Sequence, residues 1–323
     1  MAQMSLYLFV SGGLSLLFAL FFHVAYTTML AQRGGVAALR LAPARLAGIT
    51  PGGSATVALG GGPTRASRWA EQTAAVGTLA VIGTWVGWVL LALSLITRAI
   101  LVGRGPWGSM FEFAVAFAFG ITTGYLYLQR RYPIRALGFI PTGVASFLLL
   151  YAFSLLLFLS VPGATTVATF EPLVPALDNA PLLTVHVAMA MISYGIFSVS
   201  FAAAVGYLIQ GTSDRFAWLP SRRTLDEVAY RSVIIGFPIF ATMIILGSYW
   251  ASIAWGAYWS WDPKETSALV TWLIYAVYLH ARNARGWAGR PAALILVVGF
   301  AAIMFTFFGN LFFNGLHAYS GLS

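Results

Sequence analysis

The sequence predicts an all-α polytopic membrane protein of about eight transmembrane helices, and three observations carry that prediction. Of its 323 residues, 59% are hydrophobic and only 8% charged, against roughly 25% charged in an ordinary soluble domain. The apolar residues fall into eight runs, most of them near the ~20 residues a spanning helix needs. The breaks between runs carry the basic residues very unevenly, as membrane connections do. The net charge of +9 taken alone would suit a nucleic-acid binder, but basic residues this sparse suit a membrane, and no nucleic acid is implied. Cysteine is absent, so the chain has no disulfide framework, no thiolate metal site and no thiol nucleophile of its own.

The first run, 5–30, follows no basic n-region and is too long for a signal-peptide core, so it reads as a retained anchor. A Gly/Arg-rich connection spans 32–70. Its centre, 48–63, reads as a flexible linker, and without a Gly-Lys-Ser/Thr ending it is not a P-loop. The second run, 72–97, carries Gly83 and Gly87 at a spacing that favours close helix packing. Runs 109–128 and 134–160 complete an N-terminal half, 1–180. A Pro-containing connection over 161–181 then leads into a C-terminal half, 181–323, with runs at 182–209, 227–253, 266–281 and 292–313. The seventh is the shortest. Ahead of it, Asp262, Pro263 and Glu265 have the spacing of N-cap, N1 and N3, a capping box with proline where a missing N–H costs nothing.

Orientation follows from the basic residues, which are retained on the cytoplasmic side. Arg33, Arg40, Arg45, Arg65 and Arg68 lie in the first connection, and Arg130, Arg131 and Arg135 in the third. The fifth has Arg215, Arg222, Arg223 and Arg231, and the seventh Arg282, Arg285 and Arg290. These fifteen cations and four acids leave +11 inside, whereas Arg98, Arg104 and Lys264 against five acids leave −2 outside. Both termini and the loop before the seventh run are therefore expected on the external face.

Ionisable residues in a bilayer are costly and tend to be functional, which singles out the four histidines. His23 and His280 fall in the inner leaflet, His186 and His317 at the outer face. Two histidines at matched depth on different helices are what an axially ligated haem requires, one nitrogen from each neutral imidazole. Each histidine taken singly reads equally as a hydrogen-bonded packing residue. Between the outer two lies a dense aromatic stretch in which Trp250 precedes Trp255, Trp259 and Trp261, grouped around Gly256. A lone interfacial Trp would be an anchor; this clustering makes a surface for a large planar ligand. Arg98, Arg104 and Lys264 are the external cations available to haem propionates, and Glu112, at the start of the third run, is placed to orient a ligand histidine or accept a backbone bond.

The stretch Trp255-Gly-Ala-Tyr-Trp259-Ser-Trp261-Asp262-Pro-Lys-Glu265 resembles the tryptophan-rich WWD signature of the haem-handling proteins of cytochrome c maturation. His186 and His317 match that family's external haem-ligand pair. Thr271-Trp-Leu-Ile-Tyr-Ala-Val-Tyr-Leu-His280 and Asn314-Gly-Leu-His317-Ala-Tyr319 are similar to the CcsA (ResC) branch, and Gly105-Pro-Trp-Gly-Ser-Met-Phe-Glu112 loosely resembles its Asn-Leu-Tyr-Glu-Ser segment.

The resemblance implies the CcsA-type subunit of a cytochrome c synthase, multi-pass in a bacterial inner membrane. It would move haem b to the external face and join its vinyls to the thiols of a Cys-x-x-Cys-His segment in apocytochrome c. A CcsB (ResB)-type membrane subunit is the implied partner, with thiol-reducing proteins acting indirectly. His23 and His280 would hold haem at an inner site, and His186 and His317 at an outer one. His186, His317, Trp255, Trp259, Trp261 and Asp262 would then serve catalysis by positioning. Two other classes fit the residues: a haem exporter delivering to a separate chaperone, and a diheme b-type electron carrier.

Overall fold

A computed structural model describes residues 1–46, 65–158, 180–309, 312–313 and 315–317. Among them the chain is helical, without a strand: α1 (Ala2–Leu46), α2 (Arg65–Val102), α3 (Met110–Gln129), a 3₁₀ turn (Arg135–Leu137), α4 (Phe139–Phe158), α5 (Ala180–Gln210), α6 (Arg222–Trp255), α7 (Pro263–Arg285) and α8 (Arg290–Phe308). The expected linker at 48–63, residues 161–179 of the Pro-containing connection, and Asn314 and Tyr319 of the C-terminal motif lie outside the described residues.

Seven of these helices are long and apolar enough to cross a membrane, and the protein is a multi-pass membrane protein. The exception is α7, whose ends carry Lys264, Glu265, Arg282 and Arg285. It buries Thr271, Tyr275 and Tyr278 while exposing Val270, Leu273 and Val277. The Gly/Arg-rich connection expected over 32–70 is shorter, because α1 continues to Leu46 and α2 begins at Arg65. Alanine, leucine and arginine, all strong helix formers, dominate the stretch before Leu46 and extend the helix.

Two long pairs, α1 with α2 and α5 with α6, flank a central α3 that also touches α2 and α4. Gly83 and Gly87 lie at the α1–α2 contact as expected: a Cβ on Gly87 would come within 2.7 Å of Leu16. A second close crossing joins α3 to α5. There a Cβ on Gly124 would come within 2.7 Å of the Gly195 carbonyl, so only glycine lets the two backbones approach this far. That crossing seats α5, the helix carrying His186, directly on the buried core. On the other side α6 ends at Gly256, whose left-handed φ of 77° closes the helix. The chain then turns through the tryptophan loop into α7, and the Ser248 hydroxyl donates to the Tyr258 carbonyl at 2.8 Å, tying loop to helix.

Candidate functional site: two histidines on one cleft

The start of α7 forms as its sequence demands. Asp262 is the N-cap, Pro263 occupies the first turn, and both halves of the capping box are made, with the Asp262 carboxylate accepting from the Lys264 backbone N–H at 2.8 Å. Glu265 accepts in return from the Asp262 N–H and from the backbone and hydroxyl of Ser260, which pins the loop. Asp262 does more than cap. Its carboxylate also accepts the Leu316 N–H at 2.6 Å and the Nδ1–H of His317 at 2.8 Å, drawing the segment after α8 onto the start of α7. Burial would raise this carboxyl, but the bonds from His317, Lys264 and Leu316 outweigh it and hold its pKa at about 2. Burial lowers the pKa of His317, with the Asp262 bond pulling the other way, so the ring is neutral at neutral pH.

His186 is oriented by a different acceptor. Its Nδ1 lies 2.8 Å from the Met243 carbonyl on α6. A carbonyl can only accept, so the proton sits on Nδ1 and the neutral ring carries its lone pair on Nε2. His317 is fixed in the same tautomer by Asp262. A ring N–H given to a carboxylate or backbone carbonyl, with the other nitrogen left basic, is the arrangement of metal-ligating histidines. Both rings line one cleft, between α5, α6 and the start of α7, together with Met191, Tyr194, Trp259 and Lys264. Gly247 shapes its wall, since a Cβ there would come within 2.5 Å of the His186 ring. Apolar walls and two pre-set imidazoles fit a haem in donor chemistry.

The tryptophans divide their work. Trp250 is fully buried and touches both ligand candidates, parallel to His186 at 6.5 Å and tilted against His317 at 6.0 Å. Trp255 meets the His317 ring edge-on at 4.8 Å and Trp250 at 4.7 Å. These two buttress the imidazoles, and Trp250 also lines the cleft. Trp259 lines the cleft, and Trp261 packs edge-on against it at 5.8 Å while standing 70% exposed. Trp261 also has a φ of 60°, a left-handed conformation that is rare for a bulky residue and costs free energy, as at many functional sites.

The external cations also part company. Arg98 and Arg104 both pair with the buried Glu112, which accepts the Gly108 N–H at 2.5 Å as well. Glu112 thus organises the α2–α3 turn and accepts a backbone bond; it is Asp262 and the Met243 carbonyl that orient the histidines. Lys264 enters the cleft instead, its Nζ 5.1 Å above the Phe113 ring, and burial lowers its pKa to about 8, leaving it charged at neutral pH.

The two inner histidines sit in different surroundings. His23 is fully buried in α1 and His280 is exposed on α7. The Thr84 hydroxyl donates to the Ala80 carbonyl, so the contact at 3.3 Å is a donation from His23 Nε2–H to Thr84. The ring is buried against Gly138 and Tyr125. Three features of the cleft carry no sequence signature that pointed to them: the Met243 carbonyl, Gly247 and the second role of Asp262. A glycine one helical turn beyond Met243 was the only available hint.

Residues 107–317 match the model of the family described as Cytochrome C assembly protein. The cytochrome c biogenesis protein CcsA of Microcystis aeruginosa is 32% identical over 289 residues, covering 73% of this chain and 86% of that protein. CcsA of Porphyra purpurea is 32% identical over 288 residues, with 76% and 88% covered. CcsA of Chlamydomonas reinhardtii is 36% identical over 238 residues, with 72% and 65% covered. Among solved structures, the cytochrome c heme lyase CcmF superposes with a TM-score of 0.56 at 17% identity, a likeness of fold. The match takes in 93% of this chain and 46% of CcmF, so the chain spans about half the length of that protein.

Proposed function

The chain belongs to the Cytochrome C assembly protein family as a CcsA-type cytochrome c biogenesis protein, and from that premise we propose that it presents haem b for covalent attachment to apocytochrome c. One observation carries the reading. His186 and His317, remote in sequence, line one cleft, each with its Nδ1–H given to a fixed acceptor, which directs Nε2 of the ring as the ligating atom. Those two nitrogens are the proposed axial ligands, and Asp262 and the Met243 carbonyl are positioning groups that hold the rings. Trp259, on the cleft lining with Trp261 packed edge-on against it, is the side at which a Cys-x-x-Cys-His segment is received.

Haem is the substrate, and the covalent chemistry needs little from the protein beyond placement. Each cysteine S–H adds across a vinyl double bond, sulfur to the carbon beside the ring and hydrogen to the terminal carbon, with no net oxidation or reduction. The protein's contribution is orientation and exclusion of water by the apolar wall. The partner is a CcsB-type membrane subunit. The lopsided arginines orient the cleft to the external face, extracytoplasmic in a bacterial inner membrane. An inner haem site built from His23 and His280 has no such geometry behind it, which weakens the diheme electron-carrier reading.

The test uses the full chain purified with its haem. The wild type is expected to show a paired-imidazole spectrum and, with its partner subunit and a reduced Cys-x-x-Cys-His peptide, to form covalent haem. His186→Ala or His317→Ala abolishes both, and added imidazole restores part of the spectrum. Full attachment by either variant overturns the outer site. Transfer of haem to a second protein without thioether formation makes the chain an exporter, and reversible reduction without haem loss makes it an electron carrier.

A further inference from the structure

The cleft holds an ammonium that rests over the Phe113 ring and has no ion-pair partner among the described residues, and a buried indole N–H without an acceptor; Glu265 lines it as well. Lys264 is the single cation on its lining among the described residues. Its two acidic neighbours are committed elsewhere: Asp262 accepts from its own helix, from Leu316 and from His317, while Glu265 accepts from Ser260 and Asp262. Among the described residues no carboxylate lies within ion-pair distance of the Lys264 ammonium. A second donor on the same lining, the indole N–H of Trp250, is buried without an acceptor. The other two external cations cannot serve the cleft while they clasp Glu112. Unanswered donors in a low-dielectric pocket are expensive unless a ligand supplies the acceptor, and a buried ammonium calls for an anion.

We infer that Lys264 is the carboxylate anchor of the cleft, binding a propionate and thereby fixing which edge of the porphyrin faces outward. This rests on the haem reading above and deepens it. In protoporphyrin the two propionates occupy adjacent rings and the two vinyls the other two. Holding the propionate edge at Lys264 turns the vinyl edge away from it, toward the part of the cleft wall that Lys264 does not occupy. Lys264 is a specificity residue in this scheme: it selects porphyrins bearing free carboxylates and rejects the orientation with the propionate and vinyl edges exchanged.

The test compares iron protoporphyrin IX with its dimethyl ester, titrated into the haem-free full chain and followed by the paired-imidazole spectrum. The wild type is expected to prefer the free acid by about tenfold or more. Lys264→Gln should bring that ratio close to one, and Lys264→Arg should keep most of it. Because the ratio is taken within each variant, a general loss of folding does not imitate the result. A ratio that survives in Lys264→Gln, or a wild type that binds acid and ester alike, overturns the assignment. A wild type that yields no paired-imidazole spectrum with the free acid overturns the haem site itself, and this inference with it.

Discussion

The two histidine pairs of this chain are the same residue in the same numbers, yet the fold treats them differently. His186 and His317 each surrender Nδ1–H to a fixed acceptor and line a common cleft. His23 lies against the Thr84 hydroxyl in the packed region beside Tyr125 and Gly138, while His280 stands exposed on α7. A histidine becomes a ligand when something else takes its other nitrogen and leaves the basic one beside open space. Matched depth in the membrane is not enough.

That contrast can be broken or sharpened by substitution. The largest effect is expected at the ligands, where His186→Ala or His317→Ala removes haem from the cleft and His280→Ala leaves the cleft spectrum intact; loss of that spectrum in His280→Ala would undo the distinction. Next is Asp262→Asn. Asparagine still caps a helix well, so α7 should form, but His317 loses a charged acceptor and haem affinity should fall by about 10–100-fold, measured by spectral titration. Retained affinity would mean that the carboxylate only caps. Gly247→Ala should follow, with a loss of about tenfold as the new methyl pushes the His186 ring off its bond to Met243. Last comes His23→Ala, which should leave the haem spectrum unchanged and lower the stability of the α1–α2 pair by about 1–3 kcal/mol, read by thermal unfolding in detergent. A haem spectrum altered by His23→Ala would return that residue to the ligands.

Glu112 and Asp262 make a parallel contrast. Both are buried carboxylates at helix starts, and the sequence offered Glu112 as the one to orient a histidine and Asp262 as a helix cap. The fold gives Glu112 to two arginines and a turn, and gives Asp262 to His317. Glu112→Gln should therefore cost stability, about 3–5 kcal/mol for two arginines left without their carboxylate, with little change in the position of the haem bands.

Much of this protein was legible in its residues. The eight helices follow from apolar runs, which hydropathy sums locally without reference to the rest of the chain. The capping box at Asp262, Pro263 and Glu265 is equally local, because cap and partner lie within one helical turn. Gly83 and Gly87 announced close packing for the same reason. The outer histidines and Trp259 were found as chemistry-bearing residues at one end of the bundle. What sequence could not supply was the angular position of each helix about its own axis. That rotation decides that His186 meets the carbonyl of Met243, that Arg98 and Arg104 turn to Glu112 while Lys264 enters the cleft, and that Trp250 packs beside both histidines. Run length and hydropathy fix where a helix crosses and how deep a residue lies. Which neighbour that residue faces is set only when the helices pack, because a rotation of a few tens of degrees changes every contact and leaves the depth unaltered.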